Sequence, residues 1–293
     1  MCSKAYSFIM FKVRVMSVGD YSFAVDLANT MSWGMNVADF GFNQFLESAG
    51  CLVLFDGSSP VGIATCISFG NVGWFGNFIV KPEYRKCGAG RLLLEYAINY
   101  LKSRGVENIG LYVYPYLEEY YGKFGFKADN VVLTVMCNDN VQIDDGGSFN
   151  FEVAPDFSVL SRFDCEFFGA DRSRVLRSIL QEKSSLCYAS FDGDGEMVGY
   201  IVSKNCGSVS EVGPLVCRPG RVDVAFGLLK AMLQRLVNRS VVLYLFQGQV
   251  ESRVFEVFLL SAGFRKSFSL LRMFLGESKV QSGVYLVESL ERG

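Results

Sequence analysis

Apolar and polar positions alternate or cluster along this chain in two periods, and the periods place most of its elements. Between residues 51 and 69 two apolar runs flank Phe55-Asp56-Gly57, which predicts a hairpin because Asp-Gly supplies the tight turn. A further strand is predicted near 73–80 and another near 108–113. Over about 89–104 the period changes. Leu93, Tyr96, Ala97, Tyr100 and Leu101 fall on one helical stripe, and Ser103-Arg104-Gly105 ends it with a basic last turn and a glycine. A strand near 8–14, helical segments over about 19–48, a short helix near 117–123 and strands near 126–137 complete the first half.

The second half repeats this order. Phe191-Asp192-Gly193 and Val198-Gly199 echo Phe55-Asp56-Gly57 and Val61-Gly62. Gly213-Pro214-Leu215-Val216-Cys217-Arg218-Pro219 aligns with Gly76-Asn77-Phe78-Ile79-Val80-Lys81-Pro82 at an offset of 137 residues. Gly263-Phe264 follows Gly125-Phe126 at 138. Ala225, Leu228, Leu229, Met232, Leu233 and Leu236 repeat the helix stripe. Blocks in the same order at nearly one offset predict two copies of one α/β domain. The expected boundaries are 1–138 and 151–293, with the polar, glycine-bearing stretch 139–150 as linker.

Composition narrows the chemistry. The 293 residues carry 28 Lys+Arg against 30 Asp+Glu, a net charge of −2, which argues against a broad nucleic-acid surface. Histidine is absent, removing His-based triads and the commonest zinc ligand; no metal is expected. The nine cysteines form no C-x-x-C pair, and an odd count suits a reduced, cytoplasmic chain. No apolar run reaches the roughly 18 residues of a membrane span, and the N-terminal stretch reads as a first strand rather than a signal peptide.

The segment between the strand near 73–80 and the next helix carries the candidate chemistry: Arg85-Lys86-Cys87-Gly88-Ala89-Gly90-Arg91. Glycines two apart let the backbone approach a ligand, helix-start N–H groups converge, and the cations Arg85, Lys86 and Arg91 add charge. That suits a pyrophosphate. No Gly-Lys-Ser/Thr follows, so it is not a P-loop, and Leu93 stands where a dinucleotide fingerprint needs its third glycine. In the second copy Val222 and Ala225 replace Arg85 and Gly88, Gly227 matches Gly90, and Leu259 replaces Tyr121. The first half is therefore expected to bind the ligand and the second not.

Phe78 to Gly90 resembles the acetyl-CoA-binding segment of the GNAT superfamily of N-acetyltransferases, and Tyr121-Gly122-Lys123-Phe124-Gly125-Phe126 resembles its second signature. The likeness is close over roughly 72–127 and looser over 1–137. The second half resembles a further, degenerate GNAT-like domain through Gly213-Pro214-Leu215, Ala262-Gly263-Phe264 and Arg272-Met273-Phe274, with a little from Gly283-Val284-Tyr285 and Ser289-Leu290-Glu291. The resemblance implies an α/β (α+β) chain of two tandem domains, each a mixed twisted sheet flanked by helices.

It also implies an acetyl-CoA-dependent N-acetyltransferase acting by direct amine attack in a ternary complex. Phe78 and Val80 would pair with the pantetheine arm, Ile79 would help polarise the thioester through its N–H, and the turn 85–91 (Ala89 and Cys87 included) would hold the diphosphate. Tyr121 would be the general acid. Trp33 and Asp39 fall in the acceptor-lining region, and Asp39, Glu47, Glu118 and Glu119 are candidate bases beside a water relay. Cys87 could have a lowered pKa beside Arg85 and Lys86, and Tyr114-Pro115 stands where the family often has Asn. The acceptor would be a small-molecule amine or a protein amino group, with no nucleic acid or membrane partner and a homodimer left open. The competing expectation is an acyl-CoA-binding pseudoenzyme acting as sensor or scaffold.

Overall fold

A computed structural model of the chain describes residues 11–143, 149–206, 209–248, 251–279 and 281–293. The start of the strand expected near 8–14 and the middle of the expected linker, 144–148, lie outside the described residues. The chain divides into two compact units: residues up to Ile109 together with Arg292, and Gly110–Glu291 together with Gly293.

The first unit contains β1 (Phe11–Val15), α1 (Tyr21–Asn29), α2 (Val37–Leu46), β2 (Cys51–Asp56), β3 (Ser59–Phe69), β4 (Val72–Val80) and α3 (Ala89–Ser103). Its strands pair antiparallel in chain order, β1 to β4. Of the predicted helix stripe, Leu93, Ala97 and Leu101 are closed to solvent on the buried face of α3, whereas Tyr96 is exposed and Tyr100 half-buried; the face is completed instead by Leu94 and Ile98. The α1–α2 pair covers a separate core in which Leu27, Ala28 and Phe40 pack with Ile63 and Ile79. Arg292, from the chain's end, donates to Oδ1 of Asn43 on α2 at 2.8 Å.

The strand β5 (Asn108–Val113) runs into the second unit, followed by α4 (Glu118–Gly122), β6 (Lys127–Asn138), β7 (Glu152–Val153), α5 (Phe157–Phe168) and α6 (Ser173–Gln181). Then come β8 (Leu186–Phe191), β9 (Met197–Cys206), β10 (Val209–Cys217), α7 (Val222–Arg235), β11 (Ser240–Phe246), α8 (Ser252–Ser261), β12 (Arg265–Leu275) and β13 (Val284–Leu286). The strand order is β5-β12-β6-β11-β13-β10-β9-β8-β7.

That order explains why the compact units do not coincide with the sequence repeats. The closing strand of the first repeat, β6, pairs antiparallel with β11 of the second, and β12 of the second lies beside β5 of the first. Between them β6 and β12 pair so that Val132 faces Leu271 and Leu133 faces Leu270. Leu133 and Leu270, related by the 137-residue repeat offset, thus oppose each other, as across a local two-fold axis. Val141, within the stretch expected as linker, is fully buried and exchanges backbone bonds with Arg239 and Asn238. No described helix is long and apolar enough to cross a membrane.

Candidate functional site

The β3–β4 hairpin sets the geometry of the first unit's site. Ile63 pairs with Ile79 and Gly62 with Val80, but Thr65 pairs with Gly76, so residues 77 and 78 together face one residue of β3. This is a β-bulge, which bends and twists the strand beyond it. Asn77 takes the left-handed conformation there, φ 49°, and its Nδ2 donates to Thr65 Oγ1 at 3.1 Å. Asn tolerates that conformation better than most residues. A Gly-Asn pair inside an otherwise apolar strand is the signal in the sequence that marks this bulge.

Past the bulge the backbone directions follow from one bond. Lys81 N–H donates to the Val61 carbonyl at 2.9 Å, so by two-residue alternation the amide of Ile79 also faces β3. Gly62 confirms the close approach: a Cβ there would lie 2.9 Å from the Ile79 carbonyl oxygen. The Ile79 N–H is therefore not the one turned to the opposite edge of β4. By the same alternation the Val80 N–H is, and the Val80 carbonyl on that edge accepts from Arg85 Nε at 3.0 Å. Arg85 thus closes the turn with one nitrogen and leaves the rest of its exposed guanidinium outward.

The turn itself is built from left-handed residues and the start of α3. Arg85 N–H donates to the Pro82 carbonyl, Lys86 has φ 64° and Gly88 has φ 92°. Lys86 pays for that conformation with steric strain, whereas Gly88 adopts it freely. The first α3 bond runs from Leu92 N–H to the Gly88 carbonyl at 3.0 Å, so the N–H groups ahead of it are the helix's orphan donors. They meet the positive end of a fifteen-residue helix. Residues 85–88 and Arg91 are exposed, and nothing lies within 4 Å of where a Gly88 Cβ would stand. Arg91 shares its charge with Glu95 at 2.8 Å, and Lys81 lies 5.1 Å over the Phe23 ring. The arrangement fits a diphosphate: clustered amides, a helix N-terminus, several cations and room for close approach.

The second repeat acts as an internal comparison. Arg218 N–H donates to the Val198 carbonyl at 2.8 Å, the same bond as Lys81 to Val61 displaced by 137 residues. The next amide back, that of Cys217, turns to the other edge and donates to the Gly283 carbonyl at 2.8 Å. Its counterpart in the first repeat is Val80. At the helix start Arg221 pairs with Asp223 at 3.1 Å, Ala225 is fully buried, and the Phe149 ring lies where a Gly227 Cβ would come within 2.3 Å. The glycine-based turn of the first repeat has no equivalent cradle there.

The remaining sequence candidates separate. Trp33 packs, partly buried, against the α1–α2 core. Asp39 caps α2, with its Oδ2 accepting from Asn36 N–H at 2.7 Å. Glu47 is buried and held by Tyr100, whose hydroxyl donates to it at 2.5 Å, and by Ser68 N–H at 3.3 Å. Ser68 lies five residues along β3 from Ile63, roughly 17 Å from the Ile79 pair at about 3.4 Å per residue, so Glu47 is remote from the β4 bulge end. Cys87 Sγ donates to the Tyr84 carbonyl at 2.8 Å.

In the second unit, Tyr121 sits on α4, buried, with its ring edge-on to Phe126 at 5.9 Å and to Tyr120 at 5.3 Å. Burial, then the neighbouring Tyr120, pushes its hydroxyl pKa well up, so it keeps its proton at neutral pH. Glu118 and Glu119 are exposed in the first turn of α4. Tyr114 stacks on Tyr116 at 5.6 Å and meets Phe268 at 5.5 Å. Among the described residues no group of three or more His, Cys, Asp or Glu is arranged to hold a metal ion.

A family model described as "Acetyltransferase (GNAT) family" matches residues 26–126, and one described as "Acetyltransferase (GNAT) domain" matches residues 160–284. No curated protein matches the chain. A solved Pyrococcus horikoshii protein, provisionally assigned as an acetyltransferase, superposes with a TM-score of 0.79 at 19% identity, over 100% of this chain and 99% of that one. A tandem GNAT protein from the clavulanic acid biosynthesis pathway gives 0.64 at 14% identity, over 92% and 100%. A GCN5-related N-acetyltransferase from Sphaerobacter thermophilus gives 0.64 at 14%, over 93% and 98%. At these identities the structural likeness is one of fold.

Proposed function

Because the chain belongs to the GNAT acetyltransferase superfamily, with two such domains in tandem, we propose that it is an acetyl-CoA-dependent N-acetyltransferase with one cofactor site, in the first repeat. The observation that carries this reading is the pairing of an outward-turned β4 edge at Val80 with the glycine-opened turn Arg85–Arg91 at the start of α3.

Bound acetyl-CoA supplies an activated thioester carbonyl. The amides of Phe78 and Val80 hold the pantetheine arm as an added strand would be held. The amides of residues 87–91, with Arg85, Lys86 and Arg91, hold the diphosphate. The bend at Asn77 turns the strand end, and a main-chain N–H there other than that of Ile79, which faces β3, polarises the thioester carbonyl. The acceptor is a primary amine, on a small molecule or a protein, which attacks directly; by resemblance to the family, Trp33 belongs to the region that lines its pocket. Tyr121 keeps a proton on its hydroxyl and gives it up as the thiol leaves. Cys87 serves the turn through its bond to Tyr84 rather than as a nucleophile.

Calorimetry with acetyl-CoA, followed by a free-thiol assay over a panel of amines and protein substrates, tests the reading. The expected result is saturable binding and amine-dependent thiol release. Binding without turnover on any acceptor would favour a sensor or scaffold, and no binding would overturn both.

A further inference from the structure

We propose that the gap between β10 and β11 is an extended-peptide site, filled in cis by the chain's own C-terminal strand β13, and that this occupant closes the second repeat to acyl-CoA. The second clause rests on the reading of the first repeat given above; the first does not.

The strand is held on both edges. Towards β10, Leu286 faces Leu215, Val284 faces Val216, and Cys217 N–H donates to the Gly283 carbonyl at 2.8 Å. Towards β11, Leu286 faces Leu245 and Val287 N–H donates to the Tyr244 carbonyl at 3.1 Å. Leu215, Val216 and Cys217 are the repeat counterparts of Phe78, Ile79 and Val80. The backbone atoms that β13 occupies are therefore those that the first repeat offers to a pantetheine arm. A peptide and pantetheine share the needed chemistry, amide groups spaced along an extended chain.

Close approach is built into both partners. Gly283 has φ 85°, and a Cβ there would stand 2.1 Å from the Cys217 carbonyl oxygen. Gly213 has φ 154°, and its Cβ would stand 2.2 Å from the Val287 carbonyl oxygen. Either glycine carrying a side chain would push the strands apart. Val284 through Val287 are each at most 2% exposed, and the Tyr285 ring lies 4.7 Å from that of Phe255. Just beyond, the buried carboxylate of Glu288 accepts from Lys204 Nζ at 2.7 Å, and the same ammonium pairs with Glu211 at 2.8 Å. The site thus selects an extended apolar segment with glycine at one end and an acid at the other.

The test uses the full chain. Amide hydrogen exchange is read at 283–287 with and without acetyl-CoA, and the acetyl-CoA stoichiometry is read by calorimetry. Protection of 283–287 matching that of β10, unchanged by acetyl-CoA, with one equivalent bound, is expected. Gly283→Ala should speed exchange in this strand by about tenfold or more while leaving acetyl-CoA affinity unchanged. If that variant does not fold, exchange in the native chain still decides. Rapid exchange at 283–287, release of the strand by acetyl-CoA, or two equivalents bound would overturn the proposal. Zero equivalents with a protected strand would uphold the peptide cleft and contradict the acetyl-CoA reading of the first repeat.

Discussion

Replacing Gly88 by alanine separates the fold's need for that glycine from the ligand's. Gly88 has φ 92° and Gly105, at the far end of α3, has φ 83°. Neither would bring a Cβ within 4 Å of another group. Gly88→Ala and Gly105→Ala should therefore cost similar stability, about 1–2 kcal/mol of left-handed strain each. That is a loss of roughly 2–4 °C in melting temperature per kcal/mol. Their effects on binding should diverge. At Gly88 the new methyl enters the open space over the α3 amides and displaces at least one amide–phosphate bond. A charge-assisted bond is worth about 1.5–3 kcal/mol, so the acetyl-CoA dissociation constant should rise by roughly 10- to 150-fold. Gly105→Ala should bind as the parent does. Thermal melts and calorimetry on the matched pair give both quantities. If both variants melt alike and both bind with parental affinity, the turn is not the diphosphate site.

Other expectations follow from the same geometry. Tyr121→Phe should keep the fold and acetyl-CoA affinity while lowering kcat by about 10²- to 10⁴-fold, read by thiol release; an unchanged kcat would remove Tyr121 from the chemistry. Gly227→Ala, driven against the Phe149 ring, should cost about 1–3 kcal/mol in a urea melt and leave acetyl-CoA affinity alone. The Arg14 guanidinium and Ser17 hold the Asp20 carboxylate down to about 2. Its contribution is present above the unfolded carboxylate range near 4 and is lost as pH falls through about 2. With Arg14 partly exposed, this amounts to about 1–2 kcal/mol, and Asp20→Asn should flatten that part of the stability–pH curve.

The elements defined by local pattern were legible in the sequence. The Asp-Gly hairpin, the strand at 108–113 and the helix α3 need only nearest neighbours to specify them, and they stand where the pattern put them, although the buried face of α3 runs through Leu94 and Ile98 and leaves Tyr96 in solvent. What depends on partners far along the chain was hidden. The segment expected to finish the first repeat as strands is a single strand, β6, and its pairing with β11 leaves no local mark. The β4 bulge shifts register by one residue without changing composition, and past it the Ile79 amide, expected to meet the thioester, faces β3 instead. Strand β13 has three residues, too few for a period, and only its glycine spacing hints at close packing. Among the acids, Glu47 gave no sign in sequence that Tyr100 and Ser68 would hold it far down the sheet.

The most direct measurement is an amide-resolved titration of the full chain with acetyl-CoA, following the N–H signals of Phe78, Val80 and residues 87–91 beside that of Cys217. Saturable shifts in the first set, with Cys217 unmoved, are what a single site in the first repeat requires. Shifts at Cys217, or none at Val80 and the α3 start, would contradict it.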